Sequence, residues 1–559
     1  MTGAQALLES LVLEGATTIF GYPGGAIMPV YDALYDYRKK INHILVRHEQ
    51  GAAHAAEGYS QVSGKPGVCL VTSGPGATNL VTGISDAMMD SIPMVCITGQ
   101  VFANLVGSDA FQEADVIGIT TPITKWNYQI TRAEEVPEVM AKAFYIATHG
   151  RPGPVLIDIT KNAQIDSFDF KYKKLEKMDS FQPTMDPNQR QIELAANLLN
   201  SAKRPYMFIG HGVLIAEAQD EVKKIIEKTG IPAASTLLGL SALPTDHPNY
   251  MGMLGMHGNY GTNLLASKAD VILAVGMRFD DRVTGRLADF IPQAKVIHID
   301  IDPAELNKNV PAVIPIVADA KHALAQLLPL LKKNNHAKWT AEFRKFDKEE
   351  YDVVISKKKT TTQDTINMTQ AIDLLSHIAE KDAVVVADVG QHQMEAARYF
   401  NFKTPHSFLT SGGAGTMGYA LPAAMGAALG APDRQIVAII GDGSFQMTLQ
   451  EMATIAQEKL PVKIFILNNN FLGMVRQWQQ LFFEKRYSFV DLKNPDFVKL
   501  SESFGIPAMM VDKKKDMTAV FEKALLTKGP YLVNVMVDKE INVFPMVSSG
   551  AAAHEIILE

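Results

Sequence analysis

The chain has 559 residues, 47% hydrophobic and 20% charged, a balance that buries sizeable cores over three or four ordinary domains and excludes a single small module or a disordered chain. Its 53 Lys and Arg against 60 Asp and Glu give a net charge of −7 without a long basic block, so no nucleic-acid partner is expected. Met1–Gly15 lacks the basic start of an export signal, and the longest apolar stretch, Tyr419–Gly430, contains Pro422 and is too short for a bilayer; no membrane association is expected, and Cys69 and Cys96, both inside apolar runs, read as buried thiols of a cytoplasmic protein.

In chain order, HEQGAAHAAEGYSQ is helix-like, GVCLVTSGPG is a β-branched run entering a Gly-rich turn, ATNLVTGISDAMMDS is helix-like, and Pro93 precedes the strand candidate MVCIT. A Lys-rich polar stretch, Lys161–Arg190, then reads as a linker. The middle part offers YMFIGHGV, ADVILAVGMRF and AKVIHIDID as strands, and a second polar stretch, Lys332–Gln363, ends in KKKTTTQ. That stretch suits a linker or a long solvated helix equally well. Beyond it the first pattern recurs: TMGYALPAAMGAALG, then QIVAIIGDGS into a tight turn, FQMTLQEMATIAQEK as helix, and Pro461 before VKIFILNNN. The expected fold class is α/β, with three doubly wound parallel-sheet domains at residues 1–163, 188–335 and 365–559, the outer two alike.

The sharpest chemical feature is GDGS, Gly441–Ser444, followed by Asn468–Asn470, each at the C-terminal end of an expected strand, where ligands of open α/β sheets bind. Asp442 and Asn469 are 27 positions apart, one helix plus one strand, so consecutive strand ends can bring their oxygens together. Hard oxygen donors suit Mg²⁺, and Gly441 and Gly443 let backbone amides approach a diphosphate.

These residues resemble the cofactor motif of thiamine diphosphate enzymes, whose two similar domains bind the pyrimidine and the diphosphate. The resemblance implies Asp442, Asn469 and the backbone carbonyl of Phe471 as metal ligands, and Glu49, in VRHEQGAAHAAEGYS, as the activating glutamate. Such a carboxylate, bonded to the aminopyrimidine, favours the imino form that removes the thiazolium C2 proton. Met417, in SGGAGTMGYALP, matches the residue that props the bent cofactor; Val389, Gly390, Gln391, His392, Gly415, Ser444, Gly473 and Met474 match contacts on the diphosphate side, and Pro23, Pro75 and Asn79 contacts on the pyrimidine side.

GYPGGAIMPVYDAL, GSDAFQEAD, GMRFDDRVTG and LGMVRQWQ narrow the resemblance, over nearly the whole chain, to the catalytic subunits of the acetohydroxyacid (acetolactate) synthase family. It implies decarboxylation of pyruvate and transfer of the hydroxyethyl group to a second pyruvate or to 2-ketobutyrate, in branched-chain amino acid synthesis. Trp478 matches the residue favouring 2-ketobutyrate, Arg278 the arginine for the acceptor carboxylate, and Gln112 and Lys161 further active-site residues, Gln112 reaching across a subunit boundary. A homodimer or dimer of dimers is implied, and a small regulatory subunit as a partner. The middle part, which lacks a GxGxxG and reads bottom-up only as a nucleotide-like crevice, is implied to bind FAD through Arg151, Gly210, Gly212, Thr236, Leu254, Gly255, Met256, His257, Gly276, Arg278, Asp300 and Asp319.

Rival classes are weighed on single features. RFDDRVTG and MVRQWQ disfavour pyruvate oxidase, Glu49 disfavours glyoxylate carboligase, the lack of a His-His pair disfavours a simple decarboxylase, and Trp478 with the middle-domain motifs disfavours a flavin-free catabolic synthase. Phe102, where a small residue or proline is common, predicts weakened sulfonylurea inhibition, and Ser548 departs from a usual proline in the C-terminal tail.

Overall fold

The structure, a computed structural model, describes residues 1–359 and 364–559; the end of the KKKTTTQ segment therefore lies outside the described residues. The first sheet comprises β1 (Thr18–Gly21), β2 (Asn42–Leu45), β3 (Gly67–Val71), β4 (Met94–Gln100), β5 (Trp126–Ile130) and β6 (Pro154–Thr160), in the order β2-β1-β3-β4-β6-β5. The second comprises β7 (Pro205–Ile209), β8 (Ala233–Ser235), β9 (Tyr250–Met253), β10 (Val271–Val275), β11 (Lys295–Asp300) and β12 (Ile314–Val317). Its order, β12-β11-β10-β7-β8-β9, is the 3-2-1-4-5-6 order of dinucleotide-binding sheets. The third comprises β13 (Val384–Ala387), β14 (Phe408–Leu409), β15 (Ile436–Gly441), β16 (Val462–Asn468), β17 (Ala508–Val511) and β18 (Tyr531–Met536), in the order β14-β13-β15-β16-β18-β17. Numbered from its own first strand, that order is identical to the first sheet's. All pairs within the three sheets are parallel, and helices cover both faces, so the central strands are continuous apolar runs.

The expected strands and the repeated outer domains are present. The middle sheet also uses β8, β9 and β12, whose segments AAS, YMGM and IPIV are too short to announce themselves. The segment FQMTLQEMATIAQEK is not one helix: it breaks after Thr448, and Glu451 turns to accept the backbone N–H groups of Arg47 and His48. Over its described residues, 332–359, the second polar stretch is helical from Ala337 onwards rather than a loose linker. Helix Ala337–Glu350 buries Trp339 and Phe343 against the middle domain, and Ser356–Lys359 continues it to a buried Lys358–Glu395 ion pair at 2.6 Å. Lys161–Arg190 is helical only at Lys161–Ile165 and from Gln189; between them Phe168, Phe170, Tyr172 and Phe181 lie on the first core.

The outer domains meet where α1 (Glu49–Ser63) crosses α2 (Ala420–Gly430). A Cβ on Gly58 would lie 2.0 Å from the Ala423 carbonyl oxygen, and one on Gly426 1.8 Å from that of Ala55; only glycine permits this approach. The helix Ala420–Gly430 is apolar all round because it is core on every side. Cys69 and Cys96 sit opposite one another on β3 and β4, free and buried. Among the described residues no helix is long and apolar enough to cross a membrane.

Candidate active site

Two cavities open at the C-terminal strand ends of the middle and third sheets. The smaller, about 50 Å³, is lined by Val389, Gly390, Gln391 and His392 after β13, Gly441, Asp442, Gly443 and Ser444 after β15, Asn469 and Phe471 after β16, and Met417, Gly473 and Met474. β15 delivers Asp442 and β16 delivers Asn469, since the two strands pair in register with Gly441 opposite Leu467. Asn470 then adopts φ 57°, a left-handed conformation Asn tolerates, which turns the chain towards Phe471. Asn469 Oδ1 accepts the Phe471 N–H at 3.0 Å, and the Gln391 side chain meets the Asn469 amide at 3.4 Å.

Burial pushes Asp442 up to about 6, partly opposed by the Asn494 amide, which donates to its Oδ2 at 2.7 Å. Neither Asp442 nor Asn469 has an ion-pairing cationic side chain among the described residues, so a buried carboxylate and an amide oxygen face a small cavity. This donor set fits a hard divalent cation such as Mg²⁺. His392, held down to about 3 by burial, accepts the Gly441 N–H on Nε2 at 3.1 Å.

The larger cavity, about 740 Å³, runs from the middle sheet to the third. Of the twelve residues expected in the crevice, ten line it: Arg151, Gly212, Thr236, Leu254, Met256, His257, Gly276, Arg278, Asp300 and Asp319; Gly210 and Gly255 lie behind the wall. It occupies the switch point where β7 and β10 diverge, the place such sheets bind nucleotides. Gly276 has φ 59°, and a Cβ there would lie 2.5 Å from Gly212 Cα, so the turns after β10 and β7 pack backbone to backbone. The volume and the strand-end carboxylates Asp300 and Asp319 fit a large dinucleotide. Asp300 is pushed up to about 7 by burial. Val389, Gly390, Gly415, Met417, Met474 and Trp478 form the far end of this cavity, so Met417 belongs to both. Met417 precedes rather than begins its helix, which starts at Ala420.

The pyrimidine-side group gathers elsewhere. Glu49 is the first residue of α1, nearly buried, and accepts the Asn79 amide on Oε2 at 2.9 Å. Gly76, next to Pro75, packs on the other Glu49 oxygen. Pro23, Pro75 and Gln112 are exposed, Gln112 with φ 60°, and Lys161 Nζ lies 5.9 Å from the Phe102 ring. None of these lines either cavity of the same chain.

Three thiamine diphosphate enzyme families match: the N-terminal thiamine pyrophosphate-binding domain over residues 1–119, the central domain over 192–327 and the C-terminal thiamine pyrophosphate-binding domain over 388–535. The acetolactate synthase large subunit of Corynebacterium glutamicum is 46% identical, over all of this chain and 90% of its own length. The isozyme 2 large subunit of Escherichia coli is 45% identical, over all of this chain and 99% of its own. A probable acetolactate synthase large subunit of Methanocaldococcus jannaschii is 45% identical, over all of this chain and 95% of its own. The chain belongs to the acetolactate synthase family. It is a thiamine diphosphate-dependent carboligase of that family.

Within this acetolactate synthase framework, three supporting residues escaped sequence reading. Asp388, at the end of β13, accepts the N–H groups of Gly418 and Ala420 at 2.9 and 2.8 Å. It ends VVVAD as Asp442 follows VAIIG, and that parallel was the available signal. Asn494 ties the turns after β15 and β16 and carries no motif. Asp90, from the first domain, lines the larger cavity and accepts the N–H groups of Gly412 and Gly413.

Proposed function

We propose that the chain decarboxylates pyruvate and joins the resulting two-carbon unit to a second pyruvate or to 2-ketobutyrate, using Mg²⁺ with thiamine diphosphate and carrying FAD in the middle domain. The observation that supports it most is the pair of cavities sharing Met417, one built for a diphosphate with its cation and the other large enough for a dinucleotide and ending at Arg278 and Trp478. Asp442, Asn469 and the Phe471 carbonyl would hold the cation, with Gly441, Gly443, Ser444, Gln391, His392, Gly473 and Met474 around the diphosphate. The domains proposed remain 1–163, 188–335 and 365–559.

When bound, thiamine diphosphate supplies a carbon nucleophile and an electron sink for decarboxylation. Glu49, at the start of a helix and oriented by the Asn79 amide that donates to it, would be the carboxylate that meets the pyrimidine ring nitrogen of the bound cofactor and accepts its proton in a hydrogen bond. Met417, shared by both cavities, would pack against the cofactor. Arg278 binds the acceptor carboxylate, Trp478 selects its alkyl group, and Gln112 and Lys161 complete the site. FAD would be mainly structural, since the overall carboligation is redox-neutral.

Glu49 lines neither cavity of its own chain, and Phe102, Leu105, Val106 and Phe111, close in sequence to Gln112, stand exposed, Phe111 at 88%. Both facts support a homodimer, or a dimer of dimers, in which one chain's Glu49 meets the other's diphosphate site. The relatives are named large subunits, which supports a small regulatory partner. The buried free thiols suit the cytoplasm.

The test is product identification with pyruvate, thiamine diphosphate, Mg²⁺ and FAD, with and without 2-ketobutyrate, while oxygen uptake is followed. Acetolactate, displaced by acetohydroxybutyrate in the mixture, is expected. Acetaldehyde alone, or acetate with oxygen uptake, would overturn the assignment.

A further inference from the structure

Residues 411–419 form no helix or strand, yet they supply walls to both cavities through Ser411, Gly412, Gly415 and Met417. Such a loop holds its shape only through where its backbone N–H groups go. Gly418 and Ala420 donate to Asp388 of the same domain. Two loop carbonyls also accept from that domain, Gly418 from Thr448 Oγ1 at 2.8 Å and Ser411 from Gln393 Nε2 at 3.3 Å, and further tethers come from the first domain. Gly412 and Gly413 donate to the two oxygens of Asp90 at 2.8 and 2.7 Å. Thr416 donates to Ser411 Oγ at 2.8 Å, and that hydroxyl in turn donates to Asp86 Oδ1 at 2.8 Å.

Asp86 and Asp90 stand one turn apart on the last turns of helix α3 (Val81–Asp90), both fully or almost fully buried. Two carboxylates near a helix C-terminus oppose the helix dipole, and burial raises both, Asp86 to about 8 and Asp90 to about 6. Apolar residues of similar volume would hold two domains together at lower cost. What they could not do is accept two consecutive N–H groups and orient a hydroxyl, and those contacts fix the direction of a loop.

We propose that Asp90, and Asp86 acting through Ser411, are positioning residues by which the first domain sets Gly415 and Met417 against the cofactor bound in the third domain of the same chain. This rests on the reading that Gly415 and Met417 contact thiamine diphosphate. The first domain then serves two cofactor sites. Glu49 faces one, and the far end of α3 shapes the other.

The test compares Ser411→Ala, Asp86→Leu, Asp86→Asn and Asp90→Asn in the full-length protein. It measures thiamine diphosphate affinity at saturating Mg²⁺ by fluorescence titration, the near-ultraviolet dichroism of the bound cofactor, FAD affinity and melting temperature. Ser411→Ala and Asp86→Leu are expected to weaken thiamine diphosphate binding about tenfold, and to alter the dichroism, with FAD affinity within threefold and melting temperature held; a buried polar group left without its hydrogen-bond partner carries an effect of this order. Asp86→Asn keeps an oxygen for the Ser411 hydroxyl and should stay within threefold of the parent, whereas Asp90→Asn, with one acceptor for two N–H groups, should follow Ser411→Ala. Unchanged thiamine diphosphate affinity in Ser411→Ala and Asp86→Leu overturns the inference. So does equal weakening in Asp86→Asn and Asp86→Leu, or loss of both cofactors together with a lowered melting temperature, which marks a merely structural role. A parent protein that fails to bind thiamine diphosphate would instead refute the functional reading beneath it.

Discussion

The first and third sheets repeat one strand order and present opposite chemistry at matching edges. In the third, the strand ends carry Asp442 and Asn469, oxygen donors beside glycines, and the helix after β15 begins at Asp442 itself. In the first, β3 runs into Thr72, Ser73 and Gly74, and the acid is Glu49, at the start of the helix after β2. One scaffold thus carries a pair of oxygen donors beside glycines once and a helix-start carboxylate once, and the divergence lies in a few residues beyond the strands while the cores stay interchangeable in kind. The middle sheet, in a different order, places its crevice between them.

The sharpest way to break this division is to remove the carboxylate proposed to hold the cation. Asp442→Ala should abolish Mg²⁺-dependent thiamine diphosphate binding, a loss of at least about 100-fold, while FAD remains bound. Binding titrations with each cofactor check this, and simultaneous loss of FAD would show that the two cavities do not act separately.

Glu49→Gln cuts the other half. The amide should leave thiamine diphosphate affinity within about threefold and slow C2–H exchange by roughly 10²–10⁴, the range of a positioned proton donor or acceptor. Exchange measured by deuterium incorporation decides it, since an unchanged rate removes Glu49 from its role. Mixing Glu49→Gln with Asp442→Ala chains sharpens the comparison further. If the site is built from two chains, some mixed dimers regain one intact site, and activity should recover in part.

Much of this arrangement is legible in the sequence because strand ends announce themselves. QIVAIIGDGS and VKIFILNNN join a β-branched run to residues that only a turn or a ligand site needs, so Asp442 and Asn469 were placed correctly at adjacent strand ends. The middle domain was legible in three strands, but AAS, YMGM and IPIV are too short for periodicity to speak. The described part of the second polar stretch, residues 332–359, misleads for a different reason. Its surface is Lys- and Glu-rich, so composition suggests a linker or a solvated helix equally, while Trp339, Phe343 and the buried pair of Glu350 with Arg398 fasten its helix down. Asp86, Asp90 and Ser411 were invisible, because their meaning lies in contacts across more than 300 positions.

Trp478 gives a smaller effect. It lies on helix Gly473–Phe482, 37% exposed, at the rim of the larger cavity. Trp478→Leu should reduce preference for 2-ketobutyrate over pyruvate about tenfold, within the 1–3 kcal/mol range of an apolar pocket change, and leave thiamine diphosphate affinity unchanged. Competition between the two acceptors in one vessel reads the ratio directly.

The smallest effect separates the outer sheets by charge alone. On β6, Asp158 is buried and accepts from Thr98, Gln100 and Gln129 at 2.7, 3.1 and 2.8 Å; on β18 of the third sheet the buried polar residue is the neutral Asn534, paired with Asn468. Burial pushes Asp158 up to about 6 against its hydrogen bonds. The folded protein therefore holds this proton more tightly than the unfolded chain, whose aspartates titrate near 3.9. The contribution is fully present below pH ~4 and is lost as pH rises through about 6, for a total of roughly 2–3 kcal/mol. Asp158→Asn removes that slope and costs about 1–3 kcal/mol for the donor left without an acceptor. The gap in unfolding free energy between parent and variant should accordingly be wider at pH 4.5 than at pH 7.5, whereas Asn534→Ala should give a gap independent of pH. Urea titrations at the two pH values measure both, and a parallel pH response in the two variants would mean that Asp158 carries its charge in the folded sheet.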